Sequence, residues 1–316
     1  MVSASSLLLL PSSVRDLASC VVADVAACTT PSSTLTSPAS PSTLSVTVFY
    51  RATALLPGHS SPLHLRLTWT RSPLGPTLSF SPSASNPAVV LRRRRGTQSV
   101  SVDDAAQPQL VAFWDLTAAR YDASPEPHSG YYFVAVAGAD VVLAVGDLAA
   151  EFVEERFEGR IPNPKAAALT VPFARRERVV APDPAAMHTA RRVRFAEGGP
   201  DHEVSVGCSG GAEEEELWVS VDGKRAVQAR RPWLNFRGNQ TVFVDGAPVD
   251  VMWDLHGWWF REPPYGSAVV MLRARSALES RLWLEEEEVA TAAPGFSLVL
   301  QAFKSRADGL SSAPAH

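Results

Sequence analysis

The chain has 316 residues, 46% of them hydrophobic and 20% charged, an ordinary globular composition long enough for about two domains. Lys and Arg number 29 against 33 Asp and Glu, a formal net charge of -4, so no global field draws the chain to nucleic acid or membrane and any such contact must be a local patch. The three cysteines, Cys20, Cys28 and Cys208, make no C-x-x-C pair and no disulfide framework, which argues against structural zinc and for a reducing compartment.

Residues 1–43 are dominated by Ser, Thr, Ala and Pro, too poor in aliphatics to offset the entropy of ordering, and are expected to form a disordered tail and linker. No positive charge precedes Arg15 and the run Leu7 to Leu10 stops at Pro11, unlike a secretory signal, and no stretch approaches the roughly 18 apolar residues of a membrane span. The expected location is intracellular, cytoplasmic or nuclear. A plastid transit peptide is the weaker alternative, with Asp16 and Asp24 against it.

From Leu44 onward the dominant period is two. Leu63, Leu65, Leu67 and Trp69 alternate with His64, Arg66 and Thr68, which describes a half-buried strand. The same alternation recurs at Ser45 to Tyr50, Ser99 to Val102, Arg191 to Phe195, Glu203 to Val206, Thr241 to Val244 and Val249 to Trp253. Tyr131 to Val136 and Val269 to Leu272 are continuous apolar runs suited to interior strands. Asp222-Gly223 and Asp245-Gly246 are tight-hairpin signals. Only Asp147 to Phe157 and Ser276 to Val289 suggest helices, both short. The fold class is therefore all-β and mainly antiparallel.

The two halves resemble each other. Arg95-Gly96-Thr97-Gln98-Ser99-Val100-Ser101-Val102-Asp103 matches Arg237-Gly238-Asn239-Gln240-Thr241-Val242-Phe243-Val244-Asp245, and Phe113-Trp114-Asp115-Leu116 then matches Met252-Trp253-Asp254-Leu255. Gly130 and Gly266, each before an apolar run, extend the correspondence. Two tandem, duplicated β-sandwich or β-barrel-like units are expected, at 44–150 and 187–305, joined by a connector at 151–186 and followed by a disordered tail at 306–316.

The ordered segments FWDL, GYYFVAV, VGDL, FRGNQTVFVDGAPVDVMWDLHGWWF and GFSLVLQAFK resemble the plant family catalogued as domain of unknown function 868. The likeness runs from Arg15-Asp16 and Ser19-Cys20 to Phe303-Lys304. It implies a plant protein in which the Ser-rich linker is a normal feature and Met1 to Val14 an extension, with no established activity, cofactor or catalytic residue. The glutamate runs at 213–216 and 285–288 depart from the family in expected loops.

Trp114 and Trp253 are expected in the cores of equivalent strands, with Asp115 and Asp254 accepting backbone N–H groups at the strand ends. The alternative, an Asp254 and His256 acid/base pair, lacks any nucleophile beside it. His256, Trp258, Trp259 and Phe260 either pack the core or line an aromatic ligand site. Arg92, Arg93, Arg94 and Arg95 correspond to Arg230, Arg231 and Arg237 in the second unit, either as solvated charges or as one anion-binding patch. Further basic clusters at Arg175, Arg176 and Arg178, and at Arg191, Arg192 and Arg194, are expected at solvated strand ends and loops. Nucleic acid is disfavoured, since no RNP-type aromatic signature accompanies the arginines. The seven histidines are scattered, and neither G-x-G-x-x-G nor a P-loop occurs, so no metal or cofactor is expected. The leading expectation is a non-enzymatic tandem β-module for protein interaction or scaffolding. The alternative is a carrier of a small apolar ligand, lipid or sugar, near Trp258 and Trp259.

Overall fold

The computed structural model describes residues 42–52, 63–83, 87–101, 109–138, 140–157, 170–181, 187–196, 198–209, 215–261, 266–275 and 295–305. Ser42 and Thr43, expected at the end of the tail, begin a strand; the rest of the expected tails, the Ser276 to Val289 helix and the 285–288 glutamate run lie outside the described residues. Four antiparallel meanders carry most of the fold. The first is β1 (Ser42–Ala52), β2 (Leu63–Thr70), β3 (Thr77–Ser81) and β4 (Val89–Leu91); the second is β5 (Arg95–Ser101), β6 (Gln109–Asp115), β7 (Tyr132–Ala137) and β8 (Asp140–Val145). Helix α1 (Ala149–Phe157) and strand β9 (Thr170–Ala181) precede the third, β10 (His188–Val193), β11 (His202–Ser209), β12 (Glu216–Val221) and β13 (Lys224–Arg230). The fourth is β14 (Arg237–Val244), β15 (Ala247–Asp254), β16 (Ser267–Ala274) and β17 (Ser297–Lys304), with the short helix α2 (His256–Phe260) between β15 and β16.

The second and third meanders are separate four-stranded sheets, whereas the first and fourth merge through β9 into nine strands, ordered β14-β15-β16-β17-β9-β1-β2-β3-β4. β9 runs antiparallel to β1, with Val48 opposite Arg175, and parallel to β17, with Leu298 opposite Arg175. None of the three sheets closes into a barrel among the described residues.

Alternation places the core as expected in β2, where Leu65, Leu67 and Trp69 are buried between half-exposed neighbours. These side chains pack with Leu78 and Phe80 of the first meander against Leu110, Trp114, Phe133 and Leu143 of the second. Trp69 meets Tyr131 edge-on at 5.6 Å, and Phe80 lies 5.0 Å from Phe133. In the second half, Val204, Val219 and Val227 pack against Val249, Val251, Leu272 and Leu298. Helix α1 covers the other side of β7 through Phe152, stacked on Tyr132 at 4.2 Å.

The two Asp-Gly turns form as expected, with Asp222 and Gly223 at φ 50° and 75° and Asp245 and Gly246 at 49° and 79°, the positive φ pair a tight hairpin requires. Buried His202 ties them together: Nδ1 lies 2.8 Å from Asp222 Oδ2 and Nε2 3.1 Å from Asp245 Oδ2.

The segment expected to be a connector carries β9, the strand that unites the halves. Its inward positions include Arg175 and Glu177, 5% and 3% exposed, so both faces look polar in the sequence. Arg175 is thereby corrected from a solvated charge to a buried one.

Candidate functional site

The matched motifs of the two halves share one local geometry. Arg95 faces Asp115 and Gly96 faces Trp114 across β5 and β6; Arg237 faces Asp254 and Gly238 faces Trp253 across β14 and β15. Each glycine leaves room for an indole: a Cβ on Gly96 would sit 2.8 Å from Trp114 Cζ2, and one on Gly238 would sit closer still to Trp253. Trp114 Nε1 donates to the Arg93 carbonyl at 2.8 Å and Trp253 Nε1 to the Asn235 carbonyl at 3.0 Å. Asp115 Oδ1 accepts Thr117 N–H at 2.8 Å, and Asp254 Oδ1 accepts His256 N–H at 2.9 Å. The four signature residues Trp114, Asp115, Trp253 and Asp254 thus hold strand ends together, and Asp254 takes the backbone of His256 rather than its ring.

The aromatic quartet is divided. The His256 ring lies against Phe236 at 5.5 Å and Phe260 at 5.1 Å, and Phe260 also meets Phe236. Trp258 and Trp259 instead line a cavity of 70 Å³ with Cys208, Leu217 and Leu255. Burial, and then the charge of Glu215, pushes the Cys208 thiol up to about 12.

The arginines expected as one anion patch are exposed on edge strands of different sheets or beside them. Arg95 pairs with Asp115 at 3.4 Å and Arg237 with Asp254 at 3.0 Å. No hydrogen bond or ion pair between described residues joins Arg92, Arg93, Arg94 or Arg95 to Arg230, Arg231 or Arg237.

A larger cavity, 340 Å³, opens elsewhere, where β1, β8, β9 and the segments around residues 126–131 and 192–201 meet. Val48, Tyr50, Tyr131, Leu143 and Val145 form an apolar side; Glu126, Asp147, Arg175, Arg192, Arg194 and Asp201 bring charge. Arg175 is the buried centre: its Nη2 lies 2.6 Å from Glu126 and its Nε donates to Glu177 at 2.6 Å. Glu177 in turn meets His188 Nε2 at 2.7 Å. Burial alone would push the Glu177 carboxyl up, but the Arg175 guanidinium and the His188 hydrogen bond outweigh it and hold the carboxyl below its usual range.

The mouth is more exposed. Arg192 lies 3.3 Å from Glu126 and donates to the Pro127 carbonyl at 3.1 Å, and Arg194 pairs with Asp201. Arg192 sits at the register shift between Ala190 and Val193 with φ 59°, a left-handed conformation that costs energy for a non-glycine residue and occurs preferentially at functional sites. Asp147 accepts N–H bonds from Gly130 at 2.9 Å and Tyr131 at 3.1 Å. Burial, reinforced by Glu126, raises both tyrosine phenols, Tyr131 to about 12. Both are neutral hydroxyls near pH 7. Tyr50 is held by its backbone in β1, opposite Leu65 and Pro172, and its ring lines the cavity.

Sequence reasoning missed this site because its residues come from scattered segments and only burial separates Arg175 from surface arginines. The one advance signal was Arg175 and Glu177 standing two apart in an alternating segment. Among the described residues no group of His, Cys, Asp and Glu is placed to hold a metal ion, and no helix is long and apolar enough to cross a membrane.

No curated protein and no solved structure matches this chain. The family model described as plant protein of unknown function (DUF868) matches residues 42–304. The match begins after the Ser-rich tail, so it does not extend to the Arg15 to Pro41 part of the likeness. Spanning most of the chain, it shows that this chain belongs to the DUF868 family of plant proteins.

Proposed function

We propose that this is a non-enzymatic small-ligand-binding protein, built from two duplicated β-sandwich units, that holds a neutral, oxygen-rich molecule in the Tyr50 and Tyr131 cavity. The carrying observation is the cavity itself, whose 340 Å³ is in the range of small-molecule sites. Its wall is charged but balanced, with Arg175, Arg192 and Arg194 against Glu126, Asp147 and Asp201. Each cation already has a carboxylate partner, so a ligand anion would have to displace one. What is left for a ligand is spare guanidinium N–H groups, the Tyr50 hydroxyl, the O–H of Tyr131, whose oxygen already accepts from Arg192, and an apolar side. Sugars and phenolic glycosides have that complementary character.

This moves the ligand-binding reading ahead of scaffolding and shifts it from the Trp258 and Trp259 cavity, which is too small for such a ligand. Scaffolding retains one supporting feature, the row of half-buried Met252, Met271 and Val299 across adjacent strands of the nine-stranded sheet.

A thermal-shift panel on the full chain tests the proposal. Neutral sugars and phenolic glycosides should include stabilisers whose effect saturates and is lost in Val145→Trp, which fills the cavity. Stabilisation by carboxylates or phosphates alone, or equal stabilisation of the filled variant, would contradict it.

A further inference from the structure

We propose that the outer edge of β14 is an interaction surface for a second copy of this chain, the two β14 strands pairing antiparallel about a two-fold axis at Thr241 so that the nine-stranded sheets join. The surface is separate from the Tyr50 and Tyr131 cavity, none of whose lining residues lies in β14.

The first argument is the row of backbone groups that β14 leaves open. The strand ends the nine-stranded sheet. The Leu255 N–H donates to the Phe236 carbonyl at 2.7 Å, and the pairing runs on from Arg237 opposite Asp254 to Val244 opposite Ala247 without a register shift. Antiparallel alternation then turns Gly238, Gln240, Val242 and Val244 towards β15 and points the N–H and C=O groups of Asn239, Thr241 and Phe243 outward. Asn239, Gln240 and Thr241 are exposed, and Phe243 is 74% exposed. Edge strands are ordinarily blunted by shortness, a bulge, lysine or proline. Thus β4 is three residues long, β10 shifts register against β11, and β13 carries Lys224. β14 has eight residues and none of these devices.

The second argument is that the strand fits itself. About an axis at Thr241, the outward groups of Asn239 meet those of the partner's Phe243, and the two Thr241 residues meet each other, so each outward N–H finds a carbonyl. Residues directly opposite share a face of the sheet. The exposed Phe243 ring is therefore covered by the partner's Asn239, and Val242 and Val244, at the margin of the core, gain cover from the partner's Gln240 and Gly238. At each end Arg237 stands opposite the partner's Asp245, both of them exposed, and opposite charges there select this register. A two-fold pairing of this kind closes as a dimer. β5 repeats the geometry, with the Leu116 N–H on the Arg94 carbonyl, but the residues it opens outward are Thr97, Ser99 and Ser101, with no exposed apolar side chain to cover.

The experiment is sedimentation equilibrium of the full chain, joined to amide hydrogen exchange read by NMR. The chain should form a dimer that dissociates on dilution, with the Thr241 and Phe243 amides protected in the dimer. Asn239→Pro removes an outward N–H, follows a glycine and breaks no bond to β15. It should be monomeric, with the Thr241 and Phe243 amides exchanging fast while Gln240 and Val242 stay slow, which shows that the strand is still folded. Phe243→Lys, at an exposed position, serves the same purpose if the proline variant does not fold. Thr97→Pro, the matching change on β5, should remain dimeric. A chain that stays monomeric at near-millimolar concentration, a dimer that survives both β14 variants, or a dimer lost in Thr97→Pro would overturn the proposal. So would fast exchange of Thr241 and Phe243 within the dimer, or assemblies that grow beyond two copies, as open pairing of β14 with β5 would give.

Discussion

Arg175→Met removes the cation at the centre of the larger cavity while keeping a long apolar stem. It leaves Glu126 and Glu177, whose side chains are 6% and 3% exposed, as two buried carboxylates. Removing one partner of a buried ion pair typically costs about 3–5 kcal/mol, because the remaining charge is uncompensated. His188 still contacts Glu177 and Arg192 still contacts Glu126, so the loss should stay within that span. The pH dependence has a definite sign. In the parent chain Glu177 is held below its usual range, so its contribution is present at neutral pH and lost as pH falls through its folded pKa. Without Arg175, burial raises the Glu177 carboxyl in the folded state, so the variant's deficit is largest at neutral pH and shrinks as pH falls towards about 5 and that carboxyl takes up a proton. Urea midpoints by tryptophan fluorescence and circular dichroism, at pH 7 and pH 5, measure this. Glu126→Gln and Glu177→Gln added to Arg175→Met should restore most of the loss. A deficit under about 1 kcal/mol at pH 7, the size of an exposed pair, or one equal at both pH values, would refute the reasoning.

Gly238→Ala places a methyl group against the Trp253 ring and Gly96→Ala one against Trp114; each should cost about 1–3 kcal/mol by overpacking, with additive losses in the double variant, as read from unfolding midpoints. Cys208, with its thiol raised to about 12, should resist iodoacetamide at pH 8 in the folded chain and react in urea, as peptide mapping would show; rapid alkylation of the native state would contradict its burial. Asp147 and Asp250 overcome a burial cost, the first through Gly130 and Tyr131 N–H groups and the second through Arg275 and Thr241, while Asp222 is lowered by the Glu203 N–H and His202. Lowered carboxyls stabilise above their unfolded pKa, so stability should hold from pH 7 to about 5 and fall below about 4; Asp147→Asn and Asp222→Asn should each flatten that fall.

The sequence made legible what depends on neighbours along the chain. Alternation marked β2 and β15 because an apolar and a solvated face differ residue by residue, and the Asp-Gly pairs marked their turns because the backbone there needs positive φ. The repeated Arg-Gly and Trp-Asp motifs were legible because the two halves spell them alike, and in both halves the indole lies over the glycine that faces it. β9 escaped because its inward side chains form an ion pair, which periodicity cannot tell from a solvated face. The larger cavity escaped for a related reason: Tyr50, Glu126, Arg175 and Arg192 are far apart in sequence and meet only when β9 docks on β1. The aromatic run after β15 was half legible, since the short helix α2 turns Trp258 and Trp259 to the small cavity and leaves His256 and Phe260 on Phe236.

Native mass spectrometry of the full chain purified from a plant host tests the central claim most directly. The account expects a stoichiometric neutral adduct, rich in oxygen, that Val145→Trp loses and Trp259→Phe keeps. An adduct that persists in Val145→Trp, or a parent chain that stays ligand-free even when incubated with the neutral compounds that stabilise it, would contradict it.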